Sequence, residues 1–145
     1  QSLASQPLTS GGALAIADAL NQQASPSFTV WKTSVSRDDV TVDGFDWTQV
    51  DNLTTGQARI WDLLFDNSGK AINFGELGKR SAISECWKGT TGKVAVATFI
   101  FTKAKRTATR FEKLYATGTG SDPSPGALVI EGAVSSQDVQ AARES

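Results

Sequence analysis

The sequence predicts a mainly α protein: a small helical bundle with a long central helix and two or so β-strands from distant parts of the chain forming a small sheet or arm. Three observations predict it. Apolar residues recur at spacings of three and four through the middle of the chain, β-branched and aromatic runs stand near 25–35 and 127–134, and Gly/Ser/Pro runs punctuate the rest. At 145 residues the chain reads as one domain, 1–145, with a lead segment over 1–12, a flexible connection over 117–126 and a C-terminal strand and arm over 127–145.

The elements follow in order. GGALAIADALNQ sets Leu14, Ala17 and Leu20 three apart and stops at Asn21, which predicts a short helix. SPSFTVWKTSV turns β-branched and aromatic, which predicts a strand with neither face wholly apolar. Thr54 or Thr55 then caps a helix over TGQARIWDLLFDN, with an apolar stripe at Ile60, Leu63 and Leu64 widened by Trp61 and Phe65, and Asn67, Ser68 and Gly69 as its stop. ELGKRSAISECWKG repeats the device with Leu77, Ala82, Ile83, Cys86 and Trp87. The longest pattern spaces Ala97, Phe101, Ala104, Ala108, Phe111 and Tyr115 by four and three, which predicts a central helix over about 94–116, although its start, KVAVATFIFT, also suits a strand. ALVIEGAV predicts a second strand before a polar end.

Composition narrows the function classes. Fourteen Lys and Arg against 15 Asp and Glu leave a net charge of -1, so no global field draws the molecule to nucleic acid or an anionic membrane, and any basic function is local. There is no histidine, which removes the usual zinc, haem and Ser/His/Asp constellations. The single cysteine, Cys86, cannot form an internal disulfide and points to assembly in the cytosol. No apolar run approaches a bilayer span and QSLASQPL lacks the regions of a signal peptide, so the expectation is a soluble, non-secreted chain with no membrane partner. An opening at Gln1 without methionine suggests a leading segment lost by processing or trimming.

If the central helix is continuous, Lys103, Arg106, Arg110 and Lys113 form one basic stripe opposite its apolar face. The stripe is either the solvated back of an amphipathic helix or a docking face for an acidic protein surface or a phosphate backbone. No aromatic platform or nucleic-acid motif accompanies it, so no specific nucleic-acid partner is expected. TGTG at Thr117–Gly120 closes a helix and lacks the Gly-Lys-Ser/Thr of a phosphate loop, so it reads as a connection. Asp38, Asp39, Asp43, Asp46 and Asp51 lack the spacing of a calcium loop and read as caps and solvated charge, with one or two facing the basic stripe of a neighbouring copy. Trp47, in polar GFDWTQ, is the tryptophan expected at an interface, and Cys86 beside Trp87 reads as a buried, inert thiol. The candidate partner interface is therefore Lys103, Arg106, Arg110, Lys113, Asp38, Asp39 and Trp47. No catalytic, metal-binding or cofactor-binding residues are expected.

The stretches ASPSFTVWKTSVSRDDV, TTGQARIWDLLFDNSGKAIN and KRTATRFEKLYATGTGSDPSPGALVIEGAVSSQDVQAAR together resemble a family of small proteins of tailed bacteriophages, encoded among the head and neck genes near the major capsid protein. The likeness runs over nearly the whole chain, and family members carry a further short helix before the position of Ala4. It implies a non-enzymatic virion component, assembled in the host cytoplasm, whose partners are copies of itself in a ring and other virion proteins such as portal, tail or capsid. A head-to-tail connector (adaptor) fits a compact helical body with extended arms. A capsid decoration (cement) protein and a tail-end or tail-tube protein are the alternatives, decoration proteins being more often β-rich by fold-level analogy.

Overall fold

The structure, a computed structural model, describes residues 10–65 and 70–145. It is mainly α with small sheets, as expected. Its helices are α1 (Ser10–Leu20), α2 (Arg37–Val40), a 3-10 helix (Trp47–Asn52), α3 (Thr55–Leu64), α4 (Leu77–Cys86), α5 (Thr91–Lys103), α6 (Arg110–Tyr115) and α7 (Ser136–Glu144). Its strands are β1 (Thr29–Trp31), β2 (Val35–Ser36), β3 (Ala71–Ile72) and β4 (Lys105–Thr107), with β1 beside β4 and β2 antiparallel to β3 in the register Val35 with Ile72. Where the sequence reading drew no internal boundary, the chain forms two compact units, one of residues 10–30 with Thr107–Ser145, the other Trp31–Arg106.

Four helices begin with the same chemistry. Ser36, Thr54, Thr109 and Ser135 each accept from the backbone N–H three residues on, and Asp39, Gln57, Glu112 and Asp138 each return a bond to the cap's N–H. These boxes set where each helix starts. The expected stop of α3 at Asn67–Gly69 lies outside the described residues.

The long central helix is not formed. At Ala104 the N–H reaches both Ile100 O and Phe101 O, at 3.0 and 3.2 Å, which tightens and closes α5. The Ala104 carbonyl then accepts from Lys32 N at 2.8 Å, drawing the chain into β4. Thr109 restarts it as α6 through its box with Glu112. The spacing of apolar residues continues across this break, and the backbone does not.

The Trp31–Arg106 unit holds the larger core. Trp87, Phe65, Phe74, Ile83, Ile100, Val35 and Val40 are fully buried. Phe45 lies at its aromatic centre, with ring centroids 5.9 Å from Trp87, 6.2 Å from Phe99 and 6.3 Å from Trp61. The stripe expected on α3 is rotated: Gln57, Trp61 and Leu64 are buried, while Leu63 is exposed. On α4, Ile83 and Cys86 face inward and Leu77 outward.

In the other unit Val139 of α7 packs against Ala13 and Ala17 of α1, with Ile16 and Val134 beside them. The Asn21 amide brackets the backbone of Val134, donating to its carbonyl at 2.7 Å and accepting from its N–H at 2.8 Å. The expected C-terminal strand is reduced to isolated bridges, Gly126 with Val30 and Ala127 with Thr117, and Val129 and Ile130 are exposed. The polar end is helix α7, because Ser135 and Asp138 cap it. Segment 117–126 is tied at both ends, by the Thr117–Ala127 pair and by Thr29 N to Gly120 O at 2.7 Å.

Candidate functional site

The four cations of the predicted stripe fall on three elements because the helix that would align them ends at Lys103. Lys103 is the last residue of α5, its Nζ 5.3 Å from the centroid of the Phe99 ring. Arg106 sits half-buried in β4. Arg110 and Lys113 alone stay together, one turn apart on α6. With Ala24, Ser25 and Leu114 they line an open cleft of about 430 Å³. The Lys113 ammonium also lies 5.8 Å from the Phe28 centroid. Neither cation pairs with a carboxylate among the described residues.

The sequence pattern placed Phe111 and Tyr115 in the core and overlooked Leu114. In the structure Leu114 is 68% exposed and Tyr115 49%, the latter edge-on to Phe111. α6 therefore presents two cations and two large apolar side chains together. Thr109 followed by Glu112, a capping-box signature, was the sequence signal that a new helix begins there.

The acidic segment divides by role. Asp39 closes the box at Ser36, and the Ser36 N–H and hydroxyl hold its carboxyl below the usual range. Asp46 caps the 3-10 helix, where hydrogen bonding from Thr48, its hydroxyl foremost, likewise lowers its pKa. Asp38 and Asp43 are exposed. Among the described residues no group of acidic or thiol side chains is placed to hold a metal ion.

Trp47 is 60% exposed. Its ring stands edge-on to Phe45, centroids 4.9 Å apart, so the exposed indole rests on the buried aromatic centre. The other tryptophans are buried. Cys86 is fully buried, its thiol aimed at Gln57 O across 3.4 Å, and burial pushes its pKa up to about 12. It is no nucleophile at neutral pH.

A larger cleft of about 740 Å³ is lined by Arg37, Thr54, Thr55, Arg59, Asp62 and Leu63. Arg37 is already committed there, donating to Phe65 O at 2.8 Å with Asp62 4.0 Å away. No described helix is long and apolar enough to cross a membrane. Compared with protein-family models, curated proteins and solved structures, the chain matches none.

Proposed function

We propose that this protein is a non-enzymatic structural component of a tailed bacteriophage virion, a head-to-tail connector that forms a ring between portal and tail. The resemblance of three long stretches of sequence to small head and neck proteins supports this reading. So does one physical observation. Several large apolar side chains stand exposed outside both cores, among them Trp47, beside Asp46 in the chain, and Leu114 and Tyr115, on the same helix as Arg110 and Lys113. Aromatic anchors ringed by polar groups are what a protein interface requires, and such groupings on so small a body favour assembly over a solitary life. The chain's near-neutral charge fits contact with protein better than with a phosphate polymer.

Particle reconstruction tests the proposal. The chain is expected as a symmetric ring at the neck, and disruption of its gene should accumulate filled heads and separate tails. Density on the capsid shell would reassign it to decoration, and density at the tail end to the tail. Absence of the chain from purified particles would overturn the virion reading.

A further inference from the structure

Two surfaces of the chain are complementary in chemistry. One is the Trp47 ledge: an exposed indole with its edge contact to Phe45, next in the chain to Asp46 and four residues after Asp43, both of them exposed. The other is the α6 cleft, with Arg110 and Lys113 at its rim and Leu114 as its apolar wall. The ledge offers one large ring and negative charge. The cleft offers an apolar wall and positive charge.

We propose that the Trp47 ledge of one copy docks against the Arg110–Lys113 cleft of a second copy, a head-to-tail contact between unlike surfaces. The inference rests on the assembly reading and names the contact it would use. The Trp47 ring lies against Leu114, while Asp43 and Asp46 face the two cations. Asp46 caps its own 3-10 helix, with Thr48 on one carboxylate oxygen, so its charge is held in place beside Trp47, and the edge-on Phe45 contact restricts the indole before binding. Arg110 and Lys113 have no competing carboxylate among the described residues. A second copy is the favoured occupant because both halves of the match stand on this chain. A contact between unlike surfaces also leaves a free ledge and a free cleft at the ends of each pair, which is the condition for growth into a ring.

Mixing of purified variants tests it. One variant carries Trp47→Ala with Asp43→Asn and has no ledge; the other carries Arg110→Glu with Lys113→Glu and has no cleft. Circular dichroism checks that each folds, and Trp47→Ala alone and Arg110→Glu alone serve as milder versions. Sedimentation velocity over a concentration series should show the unmodified chain associating more weakly as salt rises. Each single substitution should weaken association by at least about tenfold. Each double variant should be monomeric, and an equimolar mixture should form a dimer with one copy of each and nothing larger. A mixture that stays monomeric while the unmodified chain associates would overturn the proposal, as would variants that associate like the unmodified chain, or an unmodified chain monomeric at every concentration. Duplex DNA binding that the cleft variant loses while keeping its self-association would assign the cleft to nucleic acid. The measurement uses no particles, so this contact and the neck location stand or fall separately.

Discussion

The ammonium of Lys93 meets the side-chain oxygen of Gln57 at 2.9 Å inside the Trp31–Arg106 unit, and both residues are more than nine-tenths buried. The other acceptor of the ammonium is a backbone carbonyl, Asn52 O at 3.2 Å. Gln57 is the hub. Its oxygen also accepts from Thr54 N at 3.1 Å, and its amide donates to Lys88 O at 3.1 Å, so one side chain caps α3, holds the chain after α4 and solvates a charge on α5.

Gln57→Leu should therefore destabilise by about 2–4 kcal/mol, because it leaves a buried ammonium short of an acceptor and removes half of a capping box. Lys93→Met removes the charge with its need and should cost about 1 kcal/mol or less. Chemical denaturation of both and of the double variant checks the coupling. Single costs that simply add would show that the two groups do not depend on each other.

Two glycines of the 117–126 segment pack against Phe28. A Cβ at Gly126 would stand 2.6 Å from Thr117 O and 2.7 Å from the Phe28 ring, and one at Gly120, where φ is +71°, would enter the same ring. Gly126→Ala and Gly120→Ala should each destabilise by about 2–4 kcal/mol. Gly132→Ala, with φ of +112° but open space around its Cβ, should cost about 1 kcal/mol, from backbone strain alone. Thermal unfolding of the three variants gives the order.

The start of α3 was legible in the sequence because a cap is a local event. Thr54 with Gln57 sits three residues apart on the chain and bonds across that same interval in space. The break at Ala104 was not legible, because it depends on a carbonyl captured by Lys32, 72 residues away. Periodicity reports which residues want one face, and the 97–115 pattern satisfies it across a strand that periodicity does not detect. The exposure of Trp47 was legible from its polar neighbours. The exposure of Leu114 was not, since the basic stripe was drawn on a helix that does not exist, and only its Arg110–Lys113 half survives on one element.

Cys86 should be inert in the folded chain. With its pKa pushed up to about 12 by burial, the native thiol stays protonated at neutral pH, and a thiol reagent should react only through opening of the core. Labelling at pH 8 should be slow and should accelerate with denaturant in step with unfolding. The raised value also sets a sign: stability from this group is full below its ordinary 9.0 and is lost as pH rises towards about 12, so Cys86→Ala should blunt alkaline unfolding. Rapid stoichiometric labelling without denaturant would show that the thiol is accessible.

Acid acts through the capping carboxylates. The N–H of Ser135, with its hydroxyl second, holds Asp138 below the usual range, the N–H of Ser36 does the same for Asp39, and the Thr48 hydroxyl lowers Asp46. A depressed carboxylate stabilises fully above its unfolded value, about 3.9, and that contribution is lost as pH falls through the folded value. Helical circular dichroism should decline below about pH 4, and Asp138→Ala at pH 7 should already lack part of the α7 signal. An acid profile unchanged by Asp138→Ala would remove this residue from the account.

α7 stands where the sequence predicts the polar end of a C-terminal arm. Its sequence is polar because only one face is used, and Val139 is the residue that face buries, 7% exposed between Ala13 and Ala17 of α1. Ala13 and Ala17 let the two backbones approach closely but supply little apolar area of their own, so Val139 provides most of the side chain in that contact. Burying Val139 stabilises by about 1.5–3 kcal/mol, and a helix as short as α1 does not hold in water without a partner. Deleting 135–145 should thus expose Ala13 and Ala17, lower stability by about 2–4 kcal/mol and free the amides of α1 to exchange, while the Asn21–Val134 bonds lie outside the deletion. Hydrogen exchange read segment by segment separates this from general unfolding: protection should fall over Ser10–Leu20 and persist over α4 and α5. Val139→Ala should reproduce part of the loss with the helix still present. Protection of α1 unchanged by the deletion would mean that α7 is an appendage, and that α1 is held by something other than Val139.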